Sequence, residues 1–220
     1  MLVSRIMKRN PVFIHPGLSL TEARSLMDSE KISHLPVLNK KSELAGLITK
    51  VDLLKAAPSS ATTLDMYEIS YLLAKLNVEK VMVKDVVTVQ ENEVIEEAAR
   101  IMADRKIGCL PVLSGSLLVG MVTDADIFNF FIDAFGTRHK GVRITVNFKE
   151  KPGQLGAFAS AIADKGGNIV AFVSAEGDDA AHRRGTLKVT GIKLADVEAV
   201  IKNCLQLPIL EGSELEDIRE

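Results

Sequence analysis

The stretch GLITKVDLL, from Gly46 to Leu54, has a counterpart in GMVTDADIF, from Gly120 to Phe128. In each, a glycine precedes two apolar residues, a threonine, two variable residues, an aspartate and an apolar residue. Met7 and Met82 lie 75 positions apart, and the same offset superimposes the LPVL beginning at Leu35 on that beginning at Leu110. The chain therefore contains an internal repeat, which is the first feature to establish in any sequence.

Composition restricts the class of protein. The 220 residues are 47% hydrophobic and 25% charged, with a net charge of -2, which is typical of a soluble globular chain with one large or two small domains. This charge balance argues against a general nucleic-acid or anionic-membrane binder. The sequence has no signal-peptide pattern at its N-terminus and no run of about 18 apolar residues. Cys109 and Cys204 have no partners at metal-ligand spacing, so we expect no metal site and a reducing, cytoplasmic compartment. Because no apolar run is long enough to span a bilayer, we also expect no membrane contact.

Each repeat is predicted to follow the order β-α-β-β-α. In the first copy, Ser19 and Glu22 form a capping-box pattern at the start of a helix. The predicted elements of this copy are a strand at 12–14, a helix at 19–29, strands at 35–38 and 44–48, and a helix from 51. Those of the second copy are a strand at 87–89, a helix at 94–104, strands at 110–113 and 117–122, and a helix at 125–135.

After Lys140 the pattern changes to a third region of predicted order βαββαβ, which is the ferredoxin-like arrangement. Its elements are a strand at 142–148, a helix at 155–165, strands at 168–173 and 184–190, a helix at 194–204 and a short strand at 207–210. The fold class is therefore mixed α/β, or α+β, throughout.

The threonine and aspartate of each repeat suggest a ligand site. Thr49 ends a strand where a helix begins, and unpaired N–H groups at a helix N-terminus favour phosphate. Asp52, one turn on, can accept hydrogen bonds from vicinal ribose hydroxyls, and Gly46 permits close approach of a backbone or a base. Thr123 and Asp126 repeat the arrangement. A plain helix cap explains the same residues, and the two interpretations are compatible because the cap itself creates the site.

The repeated unit resembles the cystathionine β-synthase (CBS) domain over roughly Met1 to Phe135, and such domains occur in pairs that bind adenosine compounds. The segment TLDMYEISYLLAKLNVEKVM, from Thr63 to Met82, resembles the connector of the acetoin utilisation protein AcuB family. Lys151-Pro-Gly-Gln-Leu155 with Gly166-Gly-Asn-Ile169 resembles the ACT domain, although Glu150 stands where that family has Asp. The implied domains are CBS domains at 1–60 and 78–136, a linker and bridging helix at 61–77, an ACT-like domain at 140–212 and an acidic tail at 213–220.

The resemblance implies AMP, ADP or ATP as a regulatory ligand, with Mg²⁺ as an accompanying ion and no required cofactor. The implied nucleotide-binding residues are Thr49, Asp52, His34, Pro36, Lys50, Thr123, Asp126, Pro111 and Cys109. Lys50 follows Thr49, whereas Asp124 follows Thr123 and should repel polyphosphate unless a cation screens it. The first site is thus expected to hold phosphate more tightly. His34 has an alternative interpretation as a half-buried strand-edge residue, and Cys109 as a core residue.

In the ACT-like region, Gly153 is a candidate for backbone approach to a ligand and Asn168 for amide hydrogen bonds across a dimer interface. The alternative is that Gly153 only forms a turn and that the domain serves to dimerise. Since the sequence carries no recognisable catalytic set, we expect a non-catalytic regulator that passes a signal to a partner protein, with a link to acetoin or acetyl-CoA metabolism. An assembly module with vestigial sites is the alternative, and an enzyme ranks last. A homodimer or another even-numbered homo-oligomer is expected.

Overall fold

The computed structural model describes residues 1–56, 75–177, 179, 181–202 and 207–215. Most of the predicted connector at 61–77, together with Cys204 and the end of the predicted tail, lies outside these residues. The chain divides into two compact units, Met1–Ile127 and Phe128–Glu220.

The first unit contains both repeats as far as Ile127, which lies in the last helix of the second repeat, and the predicted β-α-β-β-α order is complete in the second repeat and lacks its initial strand in the first. A 3-10 turn at Val3–Arg5 and strand β1, Lys8–Arg9, come before the first repeat, and a 3-10 turn at Val78–Lys80 comes before the second. The first repeat consists of α1, Leu20–Ser29; β2, His34–Leu38; β3, Leu44–Thr49; and α2, Lys50–Ala56. The second consists of β4, Val89–Gln90; α3, Ile95–Arg105; β5, Cys109–Ser114; β6, Leu117–Thr123; and α4, Asp124–Ala134. The strand predicted at 12–14 is reduced to one parallel bridge between Ile14 and Val37.

The predicted capping box at the start of α1 is confirmed. The Ser19 hydroxyl accepts a hydrogen bond from the Glu22 N–H at 3.2 Å, and the Glu22 carboxylate accepts one from the Ser19 N–H at 3.0 Å. The equivalent helix α3 has Val94 at its N-cap and no side-chain cap. The first repeat therefore has a helix-terminal stabilisation that the second lacks.

The two repeats exchange the segments that precede them. β1 lies before the first repeat but pairs antiparallel with β6 of the second, with Lys8 opposite Met121 and Arg9 opposite Gly120. Val83 lies before the second repeat but bridges to Leu47 in β3 of the first. The core of each repeat is completed in the same way, because Val3 packs on the second copy, Val78 packs on the first, and both are fully buried. The two copies thus form one structural unit.

This exchange explains the repeated glycines. A Cβ on Gly46 would lie 2.5 Å from Met82 Sδ and 2.9 Å from Val83 O, and one on Gly120 would lie 2.5 Å from Met7 Sδ and 3.2 Å from Lys8 O. The expectation that Gly46 admits a close neighbour is correct, and that neighbour is the exchanged segment. Met7 and Met82 are therefore equivalent in packing as well as in sequence.

The second unit has the predicted βαββαβ order. Its elements are β7, Gly141–Lys149; α5, Gln154–Ala163; β8, Asn168–Glu176; β9, His182–Thr190; α6, Leu194–Val200; and β10, Ile209–Leu215. The four-stranded sheet has the order β10-β7-β9-β8, and its core includes the contacting rings of Phe148, Phe158 and Phe172. β10 continues to Leu215, so the prediction that a tail begins at 213 is wrong. Its polar residues are accommodated because β10 is an edge strand paired only with β7.

Candidate functional site

The repeated threonine and aspartate bond to each other in both copies. The Thr49 hydroxyl and N–H donate to Asp52 Oδ2 at 2.7 and 2.9 Å, and the Asp52 N–H donates to Thr49 Oγ1 at 3.2 Å. The corresponding distances for Thr123 and Asp126 are 2.7, 2.8 and 3.3 Å. Among the described residues, Oδ1 of neither aspartate accepts a hydrogen bond. The predicted helix cap is therefore present twice, and each cap leaves one carboxylate oxygen for another donor.

The helix N-termini are less open than expected. The Lys50 N–H donates to Ser33 O and the Asp124 N–H donates to Gly108 O, both at 3.0 Å. Together with the bonds inside the caps, these contacts pair N–H groups that the sequence interpretation left unpaired. The bond to Ser33 also holds the start of α2 beside the residue that precedes β2. The bond to Gly108 holds the start of α4 beside the residue that precedes β5. The helix termini consequently offer fewer donors to a phosphate than a free terminus would.

Each cap borders a cleft whose walls come from both repeats. The Thr49 cleft has a volume of about 540 Å³ and the Thr123 cleft about 330 Å³. In addition to Thr49, Lys50 and Asp52, the Thr49 cleft is lined by residues that include Val83, Asp85, Val86 and 106–109. The Thr123 cleft is lined by 123–126, Lys8, Pro11, Val12 and 31–34. Residues 31–34 and 106–109 are related by the repeat offset, so the two clefts are equivalent by pseudo-symmetry.

The structure distributes the predicted site residues unevenly between the two clefts. Cys109 lines the Thr49 cleft and not the Thr123 cleft of its own repeat, whereas His34 lines both. Pro36 and Pro111 are buried in β2 and β5 and line neither cleft. The sequence interpretation also missed the wall residues Lys8, Lys31, Asp85 and Lys106. The 75-residue offset between Lys31 and Lys106 was an available signal, and both lysines share a left-handed backbone, with φ of 55° and 53°.

The charges of the two clefts differ. The Thr49 cleft contains three lysines and two aspartates: Lys50, Lys55, Lys106, Asp52 and Asp85. The Thr123 cleft contains two of each: Lys8, Lys31, Asp124 and Asp126. Lys50 also donates to Asp28 Oδ1 at 2.8 Å, and this hydrogen bond lowers the pKa of the Asp28 carboxyl. The Thr49 cleft is thus the more positive, but part of the Lys50 charge is directed towards Asp28.

His34 and Cys109 occupy equivalent positions with different ionisation properties. Burial lowers the pKa of the His34 imidazole, and the carboxylates of Asp124 and Asp52 oppose that shift. Burial raises the pKa of the Cys109 thiol to about 12, and the same two aspartates add to the increase. Cys109 is a buried thiol, as the core interpretation predicts. His34 is half-buried, so it retains access to the clefts.

The second unit has its own cavity, of about 530 Å³, beside the turn that precedes α5. Gly153 lies in its wall with φ of 87°, and Phe148 and Phe172 supply aromatic surface. The Arg183 guanidinium donates to Ser174 Oγ at 3.2 Å and lies 4.0 Å from the Glu150 carboxylate. Asn168 pairs with Thr190 at the opposite end of β8. The structure therefore does not bring Gly153 and Asn168 into one site within the chain.

No helix in the described ranges has the length and apolar character needed to cross a membrane. Within the same ranges, no three His, Cys, Asp or Glu side chains are grouped to hold a metal ion.

The fold and the duplicated clefts define a class of paired-repeat proteins that carry a ferredoxin-like domain. The CBS-domain family model matches residues 3–59 and 78–133, and that of the TTHA0829-like ACT domain matches 140–207. The chain belongs to the CBS-domain family, and it combines tandem CBS domains with an ACT domain of the TTHA0829-like type.

Several known proteins are similar to the CBS pair. The crystal structure of a putative acetoin utilization protein (AcuB) from Vibrio cholerae is 32% identical, with a TM-score of 0.51, over 60% of this chain and 90% of that one. The CBS domain pair of protein MJ0100, in complex with 5-methylthioadenosine and S-adenosyl-L-methionine, is 29% identical with a TM-score of 0.50, over 60% and 95% of the two chains. The homoserine O-acetyltransferase of Methanohalobium evestigatum is 36% identical over 57% of this chain, a match that spans only 23% of that enzyme.

Proposed function

We propose that this chain is a non-catalytic regulatory protein that binds an adenosine nucleotide in the clefts of its CBS pair. The observation that carries the proposal is the duplicated Thr–Asp cap, which borders a cleft in both repeats. In each cap, Asp Oδ1 is available for a ribose hydroxyl. The adenosine moiety shared by the two ligands of the MJ0100 pair supports this assignment, since that pair is similar to the paired repeats here.

The nucleotide contacts proposed here are Thr49, Lys50, Asp52, His34 and Cys109 in one cleft, and Thr123, Asp126 and His34 in the other. The excess of lysine favours phosphate in the Thr49 cleft. In the Thr123 cleft, Asp124 favours a polyphosphate that carries Mg²⁺, because the cation offsets the negative charge of the carboxylate. The nucleotide acts as a regulatory ligand and not as a cofactor.

We expect Asp52→Ala and Asp126→Ala each to weaken adenosine-nucleotide binding at its own cleft by about ten- to a hundredfold. The physical reason is the loss of hydrogen bonds to a charged acceptor, worth roughly 1.5–3 kcal/mol. The measurement is calorimetric titration with AMP, ADP and ATP, and with S-adenosyl-L-methionine as a phosphate-free comparison. At low salt Asp52→Ala should remove the tighter AMP site, and the difference between the two sites should shrink as salt screens the lysines.

A matched control separates ligand binding from helix capping. Ser19→Ala removes a cap of the same kind from α1, at a position that lines neither cleft. It should lower thermal stability, as the aspartate variants do, and leave nucleotide affinity unchanged. The proposal fails if the unmodified chain binds none of these compounds at millimolar concentration. That result would favour the alternative of an assembly module with vestigial sites, in which the Thr–Asp pairs serve only as caps.

The remaining parts of the function are also proposals. The regulator acts in the cytoplasm on a partner protein, and its similarity to an AcuB protein makes acetoin or acetyl-CoA metabolism the first process to examine. The ACT unit binds a small metabolite in the cavity beside Gly153, where Arg183 and Ser174 supply polar groups. A domain that only dimerises is the alternative, and calorimetry with amino acids distinguishes the two.

We expect the chain to form a homodimer or another even-numbered homo-oligomer. The first unit exposes large apolar side chains on α2, with Val51 and Leu54 exposed by 55% and 65%. Apolar residues repeated on a helix surface are typical of self-association surfaces, and closed two-fold assemblies are the commonest result. Light scattering should give at least twice the 23.9 kDa mass of one chain. A 23.9 kDa particle at micromolar concentration would contradict the proposal, and Leu54→Glu should shift a true oligomer towards that mass.

A further inference from the structure

His34 lies where the two clefts meet. It begins β2, opposite Thr49 in β3, and it lines both the Thr49 and the Thr123 clefts. Its Nε2 atom and the Asp124 carboxylate lie 4.0 and 3.3 Å from the position that a Cβ on Gly108 would occupy. The imidazole therefore lies between Thr49, in one cleft, and Asp124, the first residue of α4, in the other.

The His34 ring is free of hydrogen bonds to the described residues. In the part of the chain that the structure describes, neither ring nitrogen makes a hydrogen bond. Burial lowers its pKa, and the two nearby carboxylates, Asp52 and Asp124, only oppose that shift. The ring is thus poised to be neutral when the clefts hold no anion and to become charged when an anion is added nearby.

Charged groups line both clefts around His34. On the Thr123 side they are Lys8, Lys31, Asp124 and Asp126. On the Thr49 side they are Lys50, Asp52, Lys55, Asp85 and Lys106. Of these charges, the carboxylates of Asp124 and Asp52 act on the imidazole, and both favour its charged form. A phosphate in either cleft would add a negative charge and a strong acceptor on the side that it occupies.

The equivalent position in the second repeat cannot respond in this way. Cys109 is buried, and its thiol pKa of about 12 keeps it neutral whether a phosphate is present or absent. A thiol is also a weak hydrogen-bond donor compared with an imidazolium. Of these two equivalent residues, His34 is therefore the one that can gain a proton near neutral pH.

We propose that His34 is a phosphate contact shared by the two clefts, and that it takes up a proton from solvent when either cleft binds a nucleotide phosphate. This inference rests on the proposed function, because it requires that the clefts bind phosphorylated adenosine compounds. It predicts that AMP binds more tightly as the pH falls towards 6.5, whereas adenosine does not. For one linked proton the affinity changes by at most tenfold per pH unit.

The experiment is calorimetric titration of AMP and adenosine between pH 6.5 and 8, in pairs of non-phosphate buffers with different ionisation enthalpies. AMP binding to the unmodified chain should take up protons, and the uptake should be lost in His34→Gln. The difference between the two proteins is the relevant quantity, because the AMP phosphate itself titrates near pH 6. Adenosine should bind without proton uptake in both. Asp52→Ala and Asp126→Ala, which each weaken one cleft, should both retain the uptake.

His15→Gln is the matched control, because the His15 ring is bonded to Leu38 O at 3.0 Å and lines neither cleft. It should take up as many protons as the unmodified chain. An NMR titration of His34 in the unmodified chain gives a second readout that requires no variant, and its pKa should rise when AMP is added. Equal proton uptake in His34→Gln and the unmodified chain, or an unchanged His34 titration, would overturn the inference. Absence of AMP binding would instead overturn the proposed function.

Discussion

Alanine at Gly46 is expected to destabilise the first unit by about 1–3 kcal/mol, the usual effect of inserting a methyl group into a packed core. The added Cβ would lie 2.5 Å from Met82 Sδ and 2.9 Å from Val83 O. The methionine can move aside, but the carbonyl belongs to the bridge between Val83 and Leu47 and is held by it. Gly120→Ala should cost less, since the carbonyl there, Lys8 O, lies 3.2 Å away.

Urea denaturation of the two variants, followed by circular dichroism, tests this order. Gly17→Ala is the control, because a Cβ at Gly17 meets nothing within 4 Å. That substitution should be neutral or slightly stabilising, as alanine lowers the entropy of the unfolded chain. Adding Met7→Ala to Gly120→Ala should restore more of the lost stability than adding Met82→Ala to Gly46→Ala. The reason is that the Val83 carbonyl oxygen still lies 2.9 Å from a Cβ at position 46. Equal stability of Gly46→Ala and Gly17→Ala would show that the exchanged segment does not pack as described.

Local features of the fold were predictable from sequence because their causes lie within a few residues. The Ser19–Glu22 capping box and the Thr49–Asp52 pair each join residues three positions apart, and both form as expected. The order of helices and strands followed from hydrophobic periodicity in the same way. These interactions need no information about the rest of the chain.

The composition of the clefts was not predictable in the same way, because it depends on which strands pair. The repeat offset identified Met7 and Met82 as equivalent, but it did not reveal that each packs on the opposite copy. That His34 lines both clefts follows from the pseudo-symmetric packing, which the sequence alone does not show. In the second unit, Gly153 and Asn168 match motifs of one family. Asn168, however, begins β8, whereas the cavity beside Gly153 is lined by Phe172 and Ser174 further along that strand.

Deleting residues 2–9 should unfold much of the second repeat, which is the largest effect that we expect. This segment buries Val3 and Met7, and burial of each side chain contributes roughly 1.5–3 kcal/mol. Its Val3 and Ser4 N–H groups also donate to Glu93 O and Glu91 O at 2.8 and 3.1 Å. Loss of these contacts and of the β1–β6 pairing should cost roughly 4–8 kcal/mol, which is comparable with the total stability of most domains.

Amide hydrogen exchange locates the effect. In the deletion variant, protection should fall most strongly in β6, Leu117–Thr123, because that strand loses β1, one of its two antiparallel partners, and becomes the edge of the sheet. The strands β7 and β9 of the second unit provide an internal reference. Leu2→Ala, which shortens an exposed side chain in the same segment, should change stability by less than about 0.5 kcal/mol and is the matched control. Unchanged protection of β6 after the deletion would mean that the second repeat is stable without the exchanged segment, and that the two copies fold as separate domains.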